Sequence, residues 1–216
     1  MTHIAVSAAR EQGIIAVLRA PSVDSCLLAA DALVRGGVRA LEITYSTPEP
    51  AAVIRELSQR YGSDVLLGAG TLTRVGQAAE VVAAGAAFLV APGTRPAIAE
   101  DMKATGAAVM LGALTPTELM LAVELGADVV KVFPSSLGGP SYLRALRGPF
   151  PEVPLMPTGG VDERNLPDWF AAGAIAIGAG GELTPATALA AGDWRVVEQN
   201  ARRFRSALDR VRAGAA

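Results

Sequence analysis

Short apolar runs rich in β-branched residues alternate with longer helical patterns along the whole of this 216-residue chain. Eight such runs can be counted, at residues 13–18, 40–44, 65–68, 88–91, 108–111, 129–133, 155–157 and 174–177. Most of them are continuously apolar, as expected of parallel strands that are covered on both faces or closed into a barrel. The alternation therefore predicts repeated βα units built around a parallel sheet.

Helix start and stop signals lie between these runs. A capping residue precedes and a glycine follows three predicted helices, at 22–36, 115–126 and 162–173. The second of these opens with the capping box Thr115-Pro116-Thr117-Glu118. A final amphipathic helix is predicted at about 195–212, with arginines on its solvated face.

No linker or shift in composition marks a second domain, so residues 1–216 are predicted to form one domain. Eight βα units in about 200 residues match a single-domain (β/α)₈ TIM barrel, in which the C-terminal ends of the strands converge on one face. A doubly wound open sheet is the alternative. It usually carries a glycine-rich turn after its first strand, where this chain has Leu18-Arg19-Ala20-Pro21.

Composition excludes several classes of function. A net charge of -2 and a pI near 5.5 provide no basic surface, so neither nucleic acid nor a membrane is an expected partner. Cys26 is the only cysteine, and His3, in an N-terminal segment expected to be mobile, is the only histidine. These counts argue against disulfides, histidine-dependent hydrolases and transition-metal sites. With no secretory signal pattern and no long apolar span, the expected location is the cytoplasm.

Two charged residues lie inside predicted strands. The chain has two lysines against 17 arginines, and Lys131 falls in the apolar run 127–134. An arginine cannot replace a lysine that must lose its proton. Glu42 lies in a second apolar run, 40–44. Burying two opposite charges costs desolvation free energy unless the charges contact each other. Lys131 and Glu42 therefore predict either a plain ion pair or a reactive amine beside a general acid/base.

Glycine pairs follow the seventh and eighth runs, Gly159-Gly160 and Gly180-Gly181. In (β/α)₈ barrels the loops after strands seven and eight commonly bind phosphate, through backbone N–H groups and a helix N-terminus. The two pairs together predict a phosphorylated ligand.

Five motifs in this order carry a family resemblance: Leu41-Glu42-Ile43-Thr44, Gly68-Ala69-Gly70-Thr71, Ala91-Pro92-Gly93, Lys131-Val132-Phe133-Pro134 and Pro157-Thr158-Gly159-Gly160-Val161. From about residue 13 to 193 the chain resembles the 2-keto-3-deoxy-6-phosphogluconate (KDPG)/4-hydroxy-2-oxoglutarate (KHG) aldolases. The resemblance implies a class I aldolase, commonly a homotrimer, that needs neither a metal nor an organic cofactor. Such an enzyme cleaves a 2-keto-3-deoxy-6-phospho sugar acid to pyruvate and glyceraldehyde 3-phosphate, and in some members also 4-hydroxy-2-oxoglutarate to pyruvate and glyoxylate.

The same resemblance assigns roles to individual residues. Lys131 would form the imine, and Glu42 would move protons through a water. Thr71 and the Pro92-Gly93 turn would hold the pyruvyl end of the substrate, and Phe133 would pack over the imine.

Two positions depart from the family pattern. Many gluconate-type members carry an arginine shortly after the strand-two glutamate, where this chain has Tyr45-Ser46-Thr47. Arg19 is the natural replacement, since a guanidinium can grip a carboxylate with two parallel hydrogen bonds. The loop after the eighth run reads Gly180-Gly181-Glu182, in which some members have a serine that helps bind phosphate, so backbone amides would bind the phosphate here, with Glu182 an unfavourable neighbour for an anion.

Three alternatives remain open. The segments 133–136 and 139–142 resemble the 6-phosphogalactonate branch, so the sugar-acid epimer is undecided. A phosphate-binding barrel of another activity, such as an epimerase or a synthase, would share the glycine turns, although epimerases of that kind need histidine ligands. A catalytically silent barrel would leave Lys131 and Glu42 merely neutralising each other.

Overall fold

The computed structural model describes residues 4–214, so His3 lies outside the described part of the chain. Eight strands are formed there: β1 Ile14–Leu18, β2 Ala40–Thr44, β3 Leu66–Gly70, β4 Phe88–Val90, β5 Ala108–Ala113, β6 Val129–Val132, β7 Leu155–Pro157 and β8 Ile177–Ala179. All neighbouring strands pair in parallel, in the order β7-β6-β5-β4-β3-β2-β1-β8. A bridge between Thr158 and Gly178 joins the two ends of this sheet. The predicted (β/α)₈ barrel is confirmed, and the open doubly wound sheet is excluded.

Ten α-helices surround the strands in residues 4–214: α1 Ile4–Gln12, α2 Val23–Arg35, α3 Pro50–Tyr61, α4 Gln77–Ala83, α5 Pro96–Ala104, α6 Pro116–Glu124, α7 Gly139–Arg147, α8 Leu166–Ala171, α9 Ala186–Ala191 and α10 Trp194–Gly214. Predicted capping explains two of these boundaries. Ser22 caps α2 by accepting the Ser25 N–H at 3.1 Å, and Thr115 and Glu118 form the capping box of α6. None of the described helices is both long enough and apolar enough to cross a membrane.

Two apolar layers hold the barrel together. An inner cluster of Ile15, Phe88, Met110 and Met156 fills the barrel, and Ala5, Val6 and Ala9 of α1 pack against it. A larger outer cluster lies between the strands and the surrounding helices. The expectation of a mobile N-terminal segment is therefore corrected for residues 4–12, which form a helix against the barrel core.

Other element boundaries differ from those predicted. The eighth strand begins three residues later than the run 174–177, so Gly178 belongs to the strand and Gly180 follows it directly. The helix predicted to open at Asp162 begins only at Leu166. The Asp162 carboxylate instead accepts the N–H groups of Arg164 and Asn165, each at 2.8 Å, and closes a turn. The short helix α9 was not predicted.

Candidate active site

Lys131 lies in the interior of the barrel. It is the third residue of β6 and is 3 % exposed, so its amine is shielded from bulk water. Its partner in β5 is Gly112. A Cβ at that glycine would stand 2.2 Å from the backbone carbonyl atoms of Pro92. Because Gly112 has no side chain, the Pro92-Gly93 turn can pack against β5 next to Lys131.

Glu42 meets Lys131 from the other side of the barrel. Its side chain is fully buried, and its Oε1 lies 3.4 Å from the lysine Nζ. A Cβ at Gly70 would stand 1.9 Å from this oxygen, so only glycine at that position leaves room for the carboxylate. The second oxygen, Oε2, is buried and has no hydrogen-bond partner within residues 4–214.

This arrangement is not that of a closed structural ion pair. A buried carboxylate that served only to neutralise a charge would be expected to have both oxygens satisfied. Here one oxygen faces the amine, and the other remains free to bind a water or a substrate group. The two charges that the sequence placed on separate strands do meet, and they retain unused hydrogen-bonding capacity.

Phe133 follows β6 and covers the lysine. Its ring centroid lies 5.5 Å from Nζ, a distance at which an aromatic face attracts a cation. The same ring lines a cavity at the C-terminal ends of the strands. The sequence placed Phe133 within the sixth strand, whereas β6 ends at Val132.

The cavity beside Phe133 has a volume of about 150 Å³. It brings together Arg19, which directly follows β1, and all four glycines predicted to bind phosphate, Gly159, Gly160, Gly180 and Gly181. The turn and loop hydrogen bonds of the described chain include none donated by the N–H groups of Gly160, Gly180 or Gly181, whereas Gly159 adjoins the bridge between Thr158 and Gly178. The cavity thus combines free amide donors with one guanidinium, which is the equipment of an anion site.

The first glycine turn is held by side chains rather than by a helix. Gly159 and Gly160 both have positive φ, 93° and 75°. The Ser135 hydroxyl donates to the Gly159 carbonyl at 2.6 Å, and the Asn165 amide donates to the Gly160 carbonyl at 2.8 Å. The prediction that a helix N-terminus directly follows this turn is wrong, because the turn closed by Asp162 intervenes before α8. Amide groups of the turn itself are left as the donors.

Thr71 occupies a strained backbone conformation directly after β3. Its φ of 60° is in the left-handed region, which β-branched residues rarely adopt. Such strain persists only where the surrounding structure enforces it, and it is common at functional sites. The preceding residue, Gly70, is the one that makes room for Glu42, so Thr71 stands next to the buried pair.

The structure does not gather every predicted residue into one cavity. Pro92 is half-buried and lines a second cavity of about 380 Å³, together with Thr94 and Arg95. Glu182, by contrast, does line the cavity of Arg19, so an exposed carboxylate adjoins the free amides. Neither Lys131 nor Glu42 is among the lining residues of either cavity, and Phe133 is the contact between the lysine and the anion site.

Thr158 belongs to the family motif at the end of the seventh predicted strand, but no role was assigned to it. It follows β7, is 5 % exposed and lines the cavity of Arg19, and its hydroxyl has no hydrogen-bond partner in residues 4–214. A polar residue at a strand end of a barrel was the signal that could have identified it.

No group of three or more histidine, cysteine, aspartate or glutamate side chains in the described ranges could hold a metal ion.

Comparison with known proteins connects this geometry to characterised enzymes. Residues 6–200 match the family model described as KDPG and KHG aldolase. The 2-dehydro-3-deoxy-phosphogluconate aldolase of Treponema pallidum is 37% identical over 185 residues, 85% of this chain and 88% of that protein. The 2-dehydro-3-deoxy-6-phosphogalactonate aldolase of Escherichia coli is 33% identical over 171 residues, 79% of this chain and 83% of that protein.

A solved structure adds a chemical link. The KDPG aldolase from Legionella pneumophila, with pyruvate captured at low pH as a covalent carbinolamine intermediate, superimposes with a TM-score of 0.84 at 28% identity. The alignment covers 94% of this chain and 98% of that one.

Proposed function

The chain belongs to the KDPG and KHG aldolase family, whose members are class I pyruvate aldolases, and we propose that Lys131 is the amine through which it acts. The protein is a lyase that cleaves KDPG to pyruvate and glyceraldehyde 3-phosphate. One observation carries the assignment of the residues: two buried side chains of opposite charge lie 3.4 Å apart, and one carboxylate oxygen has no partner in residues 4–214.

The reaction begins at the lysine nitrogen. Glu42 accepts a proton from the Lys131 ammonium, and the resulting neutral amine adds to the C2 carbonyl of the keto acid to give a carbinolamine. Loss of water from it produces a protonated imine. Glu42, through a water on its free oxygen, supplies the proton that leaves with the hydroxyl.

Cleavage then uses the imine as an electron sink. Glu42, through its water, accepts the proton of the C4 hydroxyl as the C3–C4 bond breaks, and the electron pair moves into the imine to form an enamine. Glyceraldehyde 3-phosphate departs as the aldehyde. Protonation of the enamine at C3, again through Glu42, and addition of water release pyruvate and restore the amine.

The remaining side chains bind the two ends of the substrate. We assign the phosphate to the amides of Gly159, Gly160, Gly180 and Gly181, because these glycines line one cavity. Arg19 lines the same cavity as these glycines, so we assign its positive charge to the phosphate end rather than to the carboxylate that the sequence suggested. Thr71 and Pro92 would hold the pyruvyl carboxylate, because Thr71 follows Gly70, which packs against Glu42, and Pro92 packs against Gly112, the strand partner of Lys131.

A second substrate is favoured by one comparison. Identity of 33% to the phosphogalactonate aldolase of Escherichia coli supports testing the C4 epimer as well. We propose that KDPG is the preferred epimer, and that 4-hydroxy-2-oxoglutarate is cleaved more slowly because it offers no phosphate to the glycine turns. Rates for the three compounds, measured side by side, test this order. Equal kcat/KM for the phosphorylated and unphosphorylated acids would remove the phosphate role of the glycines.

Covalent trapping tests the assignment of the amine. The protein is incubated with pyruvate and borohydride, digested, and analysed for a reduced adduct by mass spectrometry. The chain provides its own control, since Lys103 on α5 is the only other lysine and is exposed. We expect the adduct on Lys131 alone. An adduct on Lys103, or none at all, would refute the proposal and favour the catalytically silent barrel.

We further propose a homotrimer, the assembly common in the family. Exposed apolar side chains on α6 and in the loop after β6, Met120 at 60%, Val123 at 45% and Leu137 at 72%, provide a surface suited to contact with another copy. Light scattering should give three times the monomer mass. A monomeric mass at working concentration would contradict the proposal.

A further inference from the structure

We propose that Thr47 is a positioning residue whose buried hydroxyl fixes the backbone on both sides of Arg19 and so directs the guanidinium into the anion cavity. The inference rests on the proposed function, because it concerns how that site holds its phosphorylated substrate. Thr47 lies in the turn after β2, within the segment where related aldolases carry an arginine.

Hydrogen bonds from the end of β2 reach across to the end of β1. The Thr47 hydroxyl accepts the backbone N–H of Ala20 at 3.1 Å and lies 3.5 Å from the carbonyl of Leu18. The hydroxyl of Thr44 donates to the same Leu18 carbonyl at 3.0 Å. The residues immediately before and after Arg19 are therefore both held by hydroxyl groups of the neighbouring strand end.

The hydroxyl of Thr47 is well placed to act as a rigid anchor. Thr47 is 2 % exposed, and its own N–H donates to the Thr44 carbonyl at 2.9 Å. Ser46 bonds the Thr44 hydroxyl at 2.7 Å, which orients that hydroxyl. The Thr47 hydroxyl thus joins its own turn to the end of β1. Water cannot replace it easily, because Ala20 is itself buried.

Arg19 needs such an anchor more than a shorter side chain would. Its side chain is exposed, forms no hydrogen bond or ion pair within residues 4–214, and carries several rotatable bonds. The direction of its Cα–Cβ bond is therefore the main constraint on where the guanidinium can reach. Glu182 lines the same cavity, so a loosened Arg19 would find a competing carboxylate close to the substrate site.

Four variants test the inference through steady-state cleavage of KDPG: Thr47→Val, Thr47→Ser, Arg19→Ala and the double variant Arg19→Ala/Thr47→Val. Valine keeps the shape and removes the hydroxyl. We expect Thr47→Val to raise KM about tenfold with kcat within about twofold, because ground-state binding is weakened while the lysine chemistry is untouched. Thr47→Ser should restore KM. In the Arg19→Ala background, Thr47→Val should change KM no further.

Thr105→Val is the matched control. The Thr105 hydroxyl likewise accepts a backbone N–H, that of Ala107 at 3.2 Å, and donates to a carbonyl, that of Met102 at 2.6 Å, but it lies before β5 at the opposite end of the barrel. Its loss should leave KM unchanged. An additive effect of Thr47→Val in the Arg19→Ala background, or an effect equal to that of Thr105→Val, would overturn the inference.

Borohydride trapping separates failure of the inference from failure of the proposed function. A pyruvate adduct on Lys131 in both the parent and Thr47→Val, with no change in KM, would reject the role of Thr47 alone. Absence of the adduct in the parent protein would reject the aldolase assignment of Lys131, and with it the inference.

Discussion

Replacement of Gly70 by alanine gives the sharpest test of the Glu42 geometry. An alanine Cβ at this position would stand 1.9 Å from Glu42 Oε1 and 2.4 Å from its Cδ. The two groups must separate by about 1.5 Å to reach ordinary van der Waals contact, and this shift is large beside the 3.4 Å between the carboxylate and the lysine amine. The backbone offers no escape, since β3 pairs with β2 through this residue.

The expected loss follows from that displacement. A misplacement of about 1 Å can cost about 10²-fold in rate, so kcat for KDPG cleavage should fall by about that factor. Overpacking of the interior should cost about 1–3 kcal/mol of unfolding free energy. Pyruvate release coupled to lactate dehydrogenase measures kcat, and urea denaturation measures stability.

A second glycine of the same strand provides the control. A Cβ at Gly68 would stand 2.3 Å from the ring of Phe88, so Gly68→Ala also overpacks the barrel but does so against an apolar ring. We expect it to lose similar stability and to keep most of its kcat. The reasoning fails if Gly70→Ala is folded and fully active, or if both variants lose kcat equally.

Four further outcomes are expected. Lys131→Arg should fold but lose both substrate cleavage and the pyruvate adduct, because the guanidinium cannot form the imine. Residual cleavage above about 1 % of the parent rate would contradict the assignment of Lys131 as the reactive amine. Glu42→Gln should still form the adduct while kcat falls about 10²-fold, the usual contribution of a general acid/base, and unchanged turnover would discredit the proton shuttle. Thr71→Gly should relieve the strain at φ 60° and raise the free energy of unfolding in urea by about 1 kcal/mol. It should also raise KM for pyruvate. A lower free energy of unfolding would show that the threonine is unstrained. Burial raises the pKa of the Cys26 thiol from 9.0 to about 12. The stability that the neutral thiol contributes is therefore complete below pH 9 and is lost as the pH rises towards 12. Between about pH 8 and 10.5 the variant Cys26→Val should lose less stability than the parent, and an identical loss would contradict the shift.

The sequence predicted the fold well because parallel barrels leave a strong local signal. Each strand is an apolar run covered on both faces, and each run is followed by a helical pattern with its own caps. Boundaries were predicted less well where a side chain redirected the backbone. Asp162 accepts two N–H groups and delays α8, a turn that apolar periodicity does not reveal.

The site was predictable in its residue types but not in its connections. Lys131 and Glu42 stood out because ionisable residues are rare inside apolar strands, and each can be identified without knowledge of the other. The anion cavity followed from the rule on strand-end loops, with amides rather than helix ends as the donors. Thr158 was given no role and Thr47 was missed, because a buried threonine in a strand or turn looks the same in sequence whether or not its hydroxyl is used.

Sequence alone determined that this chain would close a parallel barrel and would carry one unusual lysine and one unusual glutamate within it, because hydrophobic periodicity and the cost of buried charge are both local properties of the chain. Only the tertiary structure decided that the Lys131 Nζ and the Glu42 Oε1 lie 3.4 Å apart, that Gly70 leaves space for the carboxylate, and that hydroxyls at and just after the end of β2 hold the backbone around Arg19. These are relations between residues that are distant in the sequence, and they are set by strand register and close packing, which no single segment contains.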